Sequence, residues 1–170
     1  MKTTLKKIKK HSACEDRYKV LLKYLGKTKA DDEPLPMSVI LKSNGLDDAI
    51  WALRTLRGCD KEIRLFAADC AGHVLKYYEK EHPNDKRPRE AIKAARKFAK
   101  GEITSAELNA AYSTAYSTAY SAAYSAADYA AYSAAYSAAY FAAYSAAYYA
   151  AEKAYQKRIF KKYFCKKGKK

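Results

Sequence analysis

Asp69, Cys70 and His73 stand within five residues of one another, in a stretch whose apolar residues recur with a helical period. All three residue types bind metals, and residues four apart share one side of a helix, so Asp69 and His73 could face a single ion. No further ligand occurs at matching spacing. An i,i+4 pair of Asp69 with His73, and a packing role for Cys70, explain the same residues without a metal. Neither a metal nor a cofactor is therefore expected. The chain also lacks a nucleophile motif, a phosphate-cradling glycine loop and a dinucleotide fingerprint. Its paired acids, Asp31-Asp32-Glu33 and Asp47-Asp48, fall in a loop and at a helix start, where solubility and the helix dipole account for them. The expectation is a protein that is not an enzyme.

The 170 residues carry a formal net charge of +15, and its position matters more than its size. Residues 1–10 hold five Lys and no acid, residues 152–170 hold nine Lys+Arg and one Glu, and the stretch between them is nearly neutral. Lysine-rich ends attract any polyanion (nucleic acid, an anionic membrane, an acidic protein) or serve only as solvated tails. Met1–Lys10 is followed by no apolar core of a secretory signal, and no apolar run is long enough to span a bilayer. Cys14, Cys59, Cys70 and Cys165 are scattered, with no Cys-x-x-Cys pair. A cytoplasmic protein with free thiols is the expectation, with Cys14 and Cys70 in the core and Cys165 exposed in the basic tail.

The elements that must hold these residues read as helices. Four Pro and six Gly are too few for a turn-rich sandwich or barrel. Ser12 and Glu15 form a capping-box pattern before Tyr18, Leu21, Leu22 and Leu25, and Gly26 is a stop. Lys27–Pro36 is a loop, and Pro36 opens a short helix ended by Ser43-Asn44-Gly45. Asp47 is a candidate N-cap for a helix carrying Ile50, Leu53 and Leu56. Asp60 caps a long helix to Glu81, His82-Pro83-Asn84-Asp85 breaks it, and Pro88 suits the first turn of the next, which ends at Gly101. With a short helix over Thr4–Lys10, this predicts an all-α protein. Short antiparallel helices fill residues 3–100, and one long Ala/Tyr-rich helix follows. The domains expected are 1–101, a compact multi-helix domain; 102–165, a repeat helix; and 166–170, a basic tail.

Residues 110–151 differ in kind, with 20 Ala, 11 Tyr and 7 Ser in 42 positions. Tyrosines recur every four residues from Tyr112 to Tyr148, and only Asp128 interrupts the row. A period of four is far from the strand period of two, alanine is the best helix former, and Thr104-x-x-Glu107 is a second capping box. One helix from Thr104 to about Phe164 would have about 60 residues and measure roughly 90 Å. Each step of four turns the row by about 40°, so the rings spiral slowly around the cylinder. Leu108 and the first tyrosines should pack on the helices of residues 12–100. Tyr124, Tyr132, Tyr136, Tyr140, Tyr144 and Tyr148 should run past that domain onto a second copy, giving a homo-oligomer of at least two chains. The alternative is a repeat expansion whose rings coat an exposed helix. The segment from Gly101 to Ala151 has no Lys or Arg, which makes it a poor groove for a single nucleic-acid strand.

Three stretches carry a family resemblance: Ser43-Asn44-Gly45-Leu46-Asp47-Asp48-Ala49-Ile50-Trp51-Ala52-Leu53-Arg54; Ile63-Arg64-Leu65-Phe66-Ala67-Ala68-Asp69-Cys70-Ala71; and Pro83-Asn84-Asp85-Lys86-Arg87-Pro88-Arg89-Glu90-Ala91-Ile92, continuing to Gly101-Glu102-Ile103. Together they resemble the small helical Imm-5-like immunity proteins of bacteria and their phages, over roughly residues 10–110. Arg17 and Gly72 depart from the pattern, standing where Gly and a bulkier residue are expected, and tyrosine tetrads replace a more mixed C-terminal helix. The resemblance implies a non-catalytic protein that neutralises a toxin by binding it. Trp and Arg dominate binding hot spots, so Trp51, Arg64, Arg87 and Arg89 are the candidate partner-binding residues, with packing and helix-end solvation as their plain alternatives. Nucleic-acid association through the Lys-rich ends, and self-assembly through the tyrosine repeat, are the alternative functions.

Overall fold

The computed structural model describes residues 1–111 and 146–165. Among them the fold is all-α apart from one two-stranded ladder, and the chain divides into two compact units, Met1–Cys59 with Phe160–Lys170, and Asp60–Ile159.

In the first unit, α1 (Leu5–Lys10) is capped by Thr4, whose hydroxyl accepts from the Lys7 amide at 3.2 Å. Leu5 and Ile8 lie one turn apart and are buried, which leaves Lys6, Lys7, Lys9 and Lys10 exposed. The capping box expected at Ser12 does not form. Ser12 adopts a left-handed conformation (φ 58°) in the turn between helices, and α2 (Glu15–Tyr24) takes Cys14 as its N-cap. Cys14 is thereby exposed at a helix entrance and is not a core residue. Gly26, at φ 65°, closes α2 with the Lys27 amide bonded to the Leu22 carbonyl.

The loop after α2 is fastened at its end by a ladder absent from the sequence reading. β1 (Lys2–Thr3) runs antiparallel to β2 (Leu35–Pro36), with Thr3 opposite Leu35. α3 (Met37–Ser43) follows directly. α4 (Leu46–Ala52) starts from Gly45 at φ 89°, so Asp47 is not the N-cap; it sits with Asp48 in the first turn, where a carboxylate meets the helix dipole. α4 tightens into a 3-10 turn, Leu53–Thr55, whose Thr55 hydroxyl donates to the Ala52 carbonyl and meets the buried Thr3 hydroxyl at 2.6 Å. The core joins Leu5, Met37, Ile40 and Ala49 to two rings from the far end of the chain, Phe160 and Phe164, both at 0% exposure. The Met1 nitrogen donates to the Phe164 carbonyl at 2.7 Å. Cys165, expected in the open, is half-buried, and burial raises its thiol pKa.

In the second unit, α5 (Asp60–Glu81) and α6 (Arg87–Lys100) form an antiparallel hairpin. Pro88 lies in the first turn of α6, and Gly101, at φ 77°, ends it. Small buried residues (Ala68, Ala71, Ala91, Ala94) let the helices approach closely around Phe66 and Ile92. Residues 105–111 form α7, opened by the expected box: the Thr104 amide donates to Glu107 Oε2 at 2.7 Å, and the Glu107 amide to Thr104 Oγ1 at 3.3 Å. Leu108 is buried. α8 (Ala146–Phe164) gives its residues up to Ile159 to this unit. The single helix expected over Thr104–Phe164 has its middle, with Tyr124, Tyr132, Tyr136, Tyr140 and Tyr144, outside the described residues, as is the side chain of Tyr148.

Candidate functional site

The helical period of α5 turns Phe66, Cys70 and Ala71 inward and leaves Asp69 and His73 half-buried at its flank. Both find partners on other helices. Asp69 Oδ1 accepts from Arg96 Nη2 of α6 at 3.1 Å, and Arg96 Nη2 also donates to the Ala68 carbonyl at 3.3 Å. That guanidinium lies directly over Gly72, where an added Cβ would come within 3.0 Å of Nη2. The glycine inside the helix, unfavourable by about 1 kcal/mol relative to Ala, leaves room for the arginine to cross.

His73 Nδ1 lies 2.6 Å from Glu152 Oε2 of α8. Glu152 is only 7% exposed, and its other oxygen accepts from Gln156 Nε2 at 3.1 Å, one helical turn on. The Tyr155 ring stacks on the His73 imidazole, centroids 3.6 Å apart and planes 14° from parallel, and the Arg158 guanidinium lies 5.1 Å from the Tyr155 centroid. Burial, reinforced by Asp69 and Cys70, raises the Tyr155 phenol pKa. Glu152 and Tyr155 of α8 thus grip one histidine of α5, and Gln156 braces the carboxylate that does so.

A histidine beside a carboxylate is half of a general-base arrangement, which needs a nucleophile to activate. Cys70 does not serve. It is buried, and burial with the nearby Glu152 and Asp69 carboxylates pushes its thiol up to about 12, so it stays protonated at neutral pH. Among the described residues no three His, Cys, Asp or Glu are placed to hold a metal. What the arrangement does is hold α8 against α5.

The four candidate partner-binding residues do not gather at one place. Trp51 is half-buried on α4 in the first unit, with the Arg54 guanidinium 4.5 Å from its ring centroid. In the second unit, Arg64 is exposed on α5, 4.8 Å from the Phe98 centroid. Arg87 and Arg89 lie together at the other end of the hairpin. Arg87 grips Asp85 through Nε (2.7 Å) and Nη2 (2.6 Å), while Tyr78 donates to the same carboxylate at 2.7 Å. Arg87 above all, with Tyr78, holds the Asp85 carboxyl well below the usual carboxylate range. Arg89 grips Glu79 in the same two-pronged way, Nε to Oε1 at 2.6 Å. Arg64 stands about 22 Å from Glu79 along α5, at 1.5 Å per residue.

The sequence reading missed Glu152, Tyr155, Gln156 and Arg96. One signal was present: Glu152 is the lone acid among the cations of the C-terminal stretch, and Gln156 follows it at i+4.

A family model described as Imm-5 like putative immunity protein matches residues 59–159. No curated protein and no solved structure matches the chain. The match takes in the stretches Ile63–Ala71 and Pro83–Ile103, leaves Ser43–Arg54 outside, and coincides almost residue for residue with the compact unit Asp60–Ile159. The Glu152 grip on His73 lies wholly within it. Over more than half its length, and through the whole of its second unit, this chain belongs to the Imm-5-like immunity protein family.

Proposed function

We propose that the protein is a non-catalytic cytoplasmic immunity protein that neutralises a protein toxin by binding it. The family match over residues 59–159 carries this reading. The chemistry of the matched unit agrees with it: the buried Cys70 thiol is held protonated, and His73 and several arginines are engaged with carboxylates. Such groups are suited to presenting a fixed surface. Arg87 and Arg89, each clamped by a carboxylate, are pre-positioned and lose little conformational freedom on binding. Arg64, and Trp51 on the first unit, complete the set of candidate contacts.

The test is a pull-down with tagged full-length protein from the source cell, using wild type and the single variants W51A, R64A, R87A and R89A, beginning with the product of the neighbouring open reading frame. Capture of one protein by wild type, weakened at least tenfold in R87A or R89A, supports the proposal. Absence of any captured partner, or capture unchanged in all four variants, overturns the proposed face. Self-association through the tyrosine repeat is a separate proposal, and light scattering at micromolar concentration decides it: a monomer removes it.

A further inference from the structure

The lysines of residues 1–10 and those of residues 160–170 belong to one compact unit, outside the residues 59–159 that the family match covers. Met1–Cys59 with Phe160–Lys170 carries 19 Lys+Arg against 7 Asp+Glu, whereas Asp60–Ile159 carries 14 against 11. The bond from the Met1 nitrogen to the Phe164 carbonyl sets β1 beside the last turn of α8, and α1 begins two residues after β1. Lys7, Lys9 and Lys10 are exposed on α1, and Lys161 and Lys162 are exposed on α8.

The acids of this unit are mostly spent within it. Glu15 and Asp16 face Lys19, Asp31 and Glu33 face Lys27, Asp32 faces Lys6, and Asp48 faces Arg17. Among the described residues no ion pair involves Lys7, Lys9, Lys10 or Lys161.

From this juxtaposition we infer that the first unit is a nucleic-acid-binding module that holds the phosphate backbone without reading bases. The exposed cations of this surface are lysines, compact point charges suited to single phosphate oxygens. A membrane surface fits less well, because α1 has its apolar residues, Leu5 and Ile8, turned into the core and presents no face for insertion. Base reading would need side chains that enter a groove or stack; the named surface has only flexible lysines.

The experiment is a salt titration of full-length protein binding to labelled 20-base-pair DNA and RNA duplexes. Five neutralised phosphates give a slope of log K against log[salt] of about −4.5, or roughly a 500-fold loss of affinity between 50 and 200 mM salt. The triple variant K7Q/K9Q/K10Q is expected to flatten the slope by about 2.7, and K161Q/K162Q by about 1.8, with no dependence on duplex sequence. R87A and R89A, which test toxin binding by the other unit, leave the slope unchanged, so either proposal can fail alone. Three results overturn the inference: no duplex binding at 20 mM salt, binding whose slope is the same in both lysine variants, or binding to phosphatidylserine vesicles with none to duplex.

Discussion

The unit formed by Asp60–Ile159 answers its arginines with acids: Arg89 with Glu79 and Arg96 with Asp69 across two helices, and Arg87 with Asp85 in the loop that joins them. The unit formed by Met1–Cys59 and Phe160–Lys170 answers some of its cations and leaves Lys7, Lys9, Lys10 and Lys161 exposed. Their cores differ in the same sense. In the former, neighbouring helices of one hairpin pack through alanines; in the latter, segments more than 100 residues apart meet at Phe160 and Phe164. A hairpin closes a short loop, while a core assembled from distant segments depends on each contribution arriving. The family match falls on the first kind of core, and the charge falls on the second.

The largest expected effect separates the two cores. Phe160→Ala removes a fully buried ring and should cost about 3–5 kcal/mol. Hydrogen exchange should then accelerate in α1 and α3 while α5 and α6 keep their protection. Equal acceleration in α5 would mean that the units unfold together and the contrast is not energetic. Next comes the grip on His73. Glu152→Ala deprives His73 Nδ1 and Gln156 Nε2 of their acceptor and should cost about 1–3 kcal/mol in urea unfolding. Glu152→Gln, which retains one carbonyl oxygen, should cost less. An alanine variant as stable as wild type would show that α8 is held by its apolar contacts alone.

A third effect depends on pH. Asp85 has its pKa lowered in the folded protein, chiefly by Arg87, so its stabilisation is fully present above the unfolded carboxylate pKa of about 3.9 and is lost as pH falls through the folded value. Asp85→Asn should therefore destabilise by about 1–2 kcal/mol at pH 6, and the gap from wild type should narrow steadily below about pH 4. A gap that widened on acidification would have the wrong sign for this pair.

Where a physical signal was local, the sequence showed it. The apolar period with Pro88 and Gly101 delimits α6, and Thr104-x-x-Glu107 closes its box as written. Local pattern misled at Ser12, because the box spacing is silent about a left-handed turn, and Cys14 was carried with it from the expected core to the surface. The β1–β2 ladder is too short to have a period. The candidate site was the least legible part. Asp69 and His73 were visible as neighbours, but Asp69 bonds Arg96 and the partner of His73 is 79 residues away, beyond any spacing rule. Arg17, the departure from the family pattern outside the matched residues, bonds Asp48 at 2.8 Å and the Asn44 carbonyl at 2.6 Å, contacts that a glycine lacks.

The smallest expected effect concerns Gly72, the departure inside the matched region. Two opposed terms are of similar size. Alanine in a helix interior gains about 1 kcal/mol over glycine. Its Cβ, however, would stand 3.0 Å from Arg96 Nη2, the end of a flexible side chain, so the guanidinium must move and loosen its bond to Asp69. That pair is partly exposed, with side-chain exposures of 40% and 22%, and such a pair contributes about 0.2–1 kcal/mol. Gly72→Ala alone should therefore leave stability within about 0.5 kcal/mol of wild type. The informative measurement is the double-mutant cycle with Arg96→Ala. Once the arginine is gone, the same Gly72→Ala change meets no obstacle and should stabilise by about 1 kcal/mol in thermal unfolding. If the change is worth the same in both backgrounds, the crossing arginine does not restrict residue 72, and the glycine has another cause.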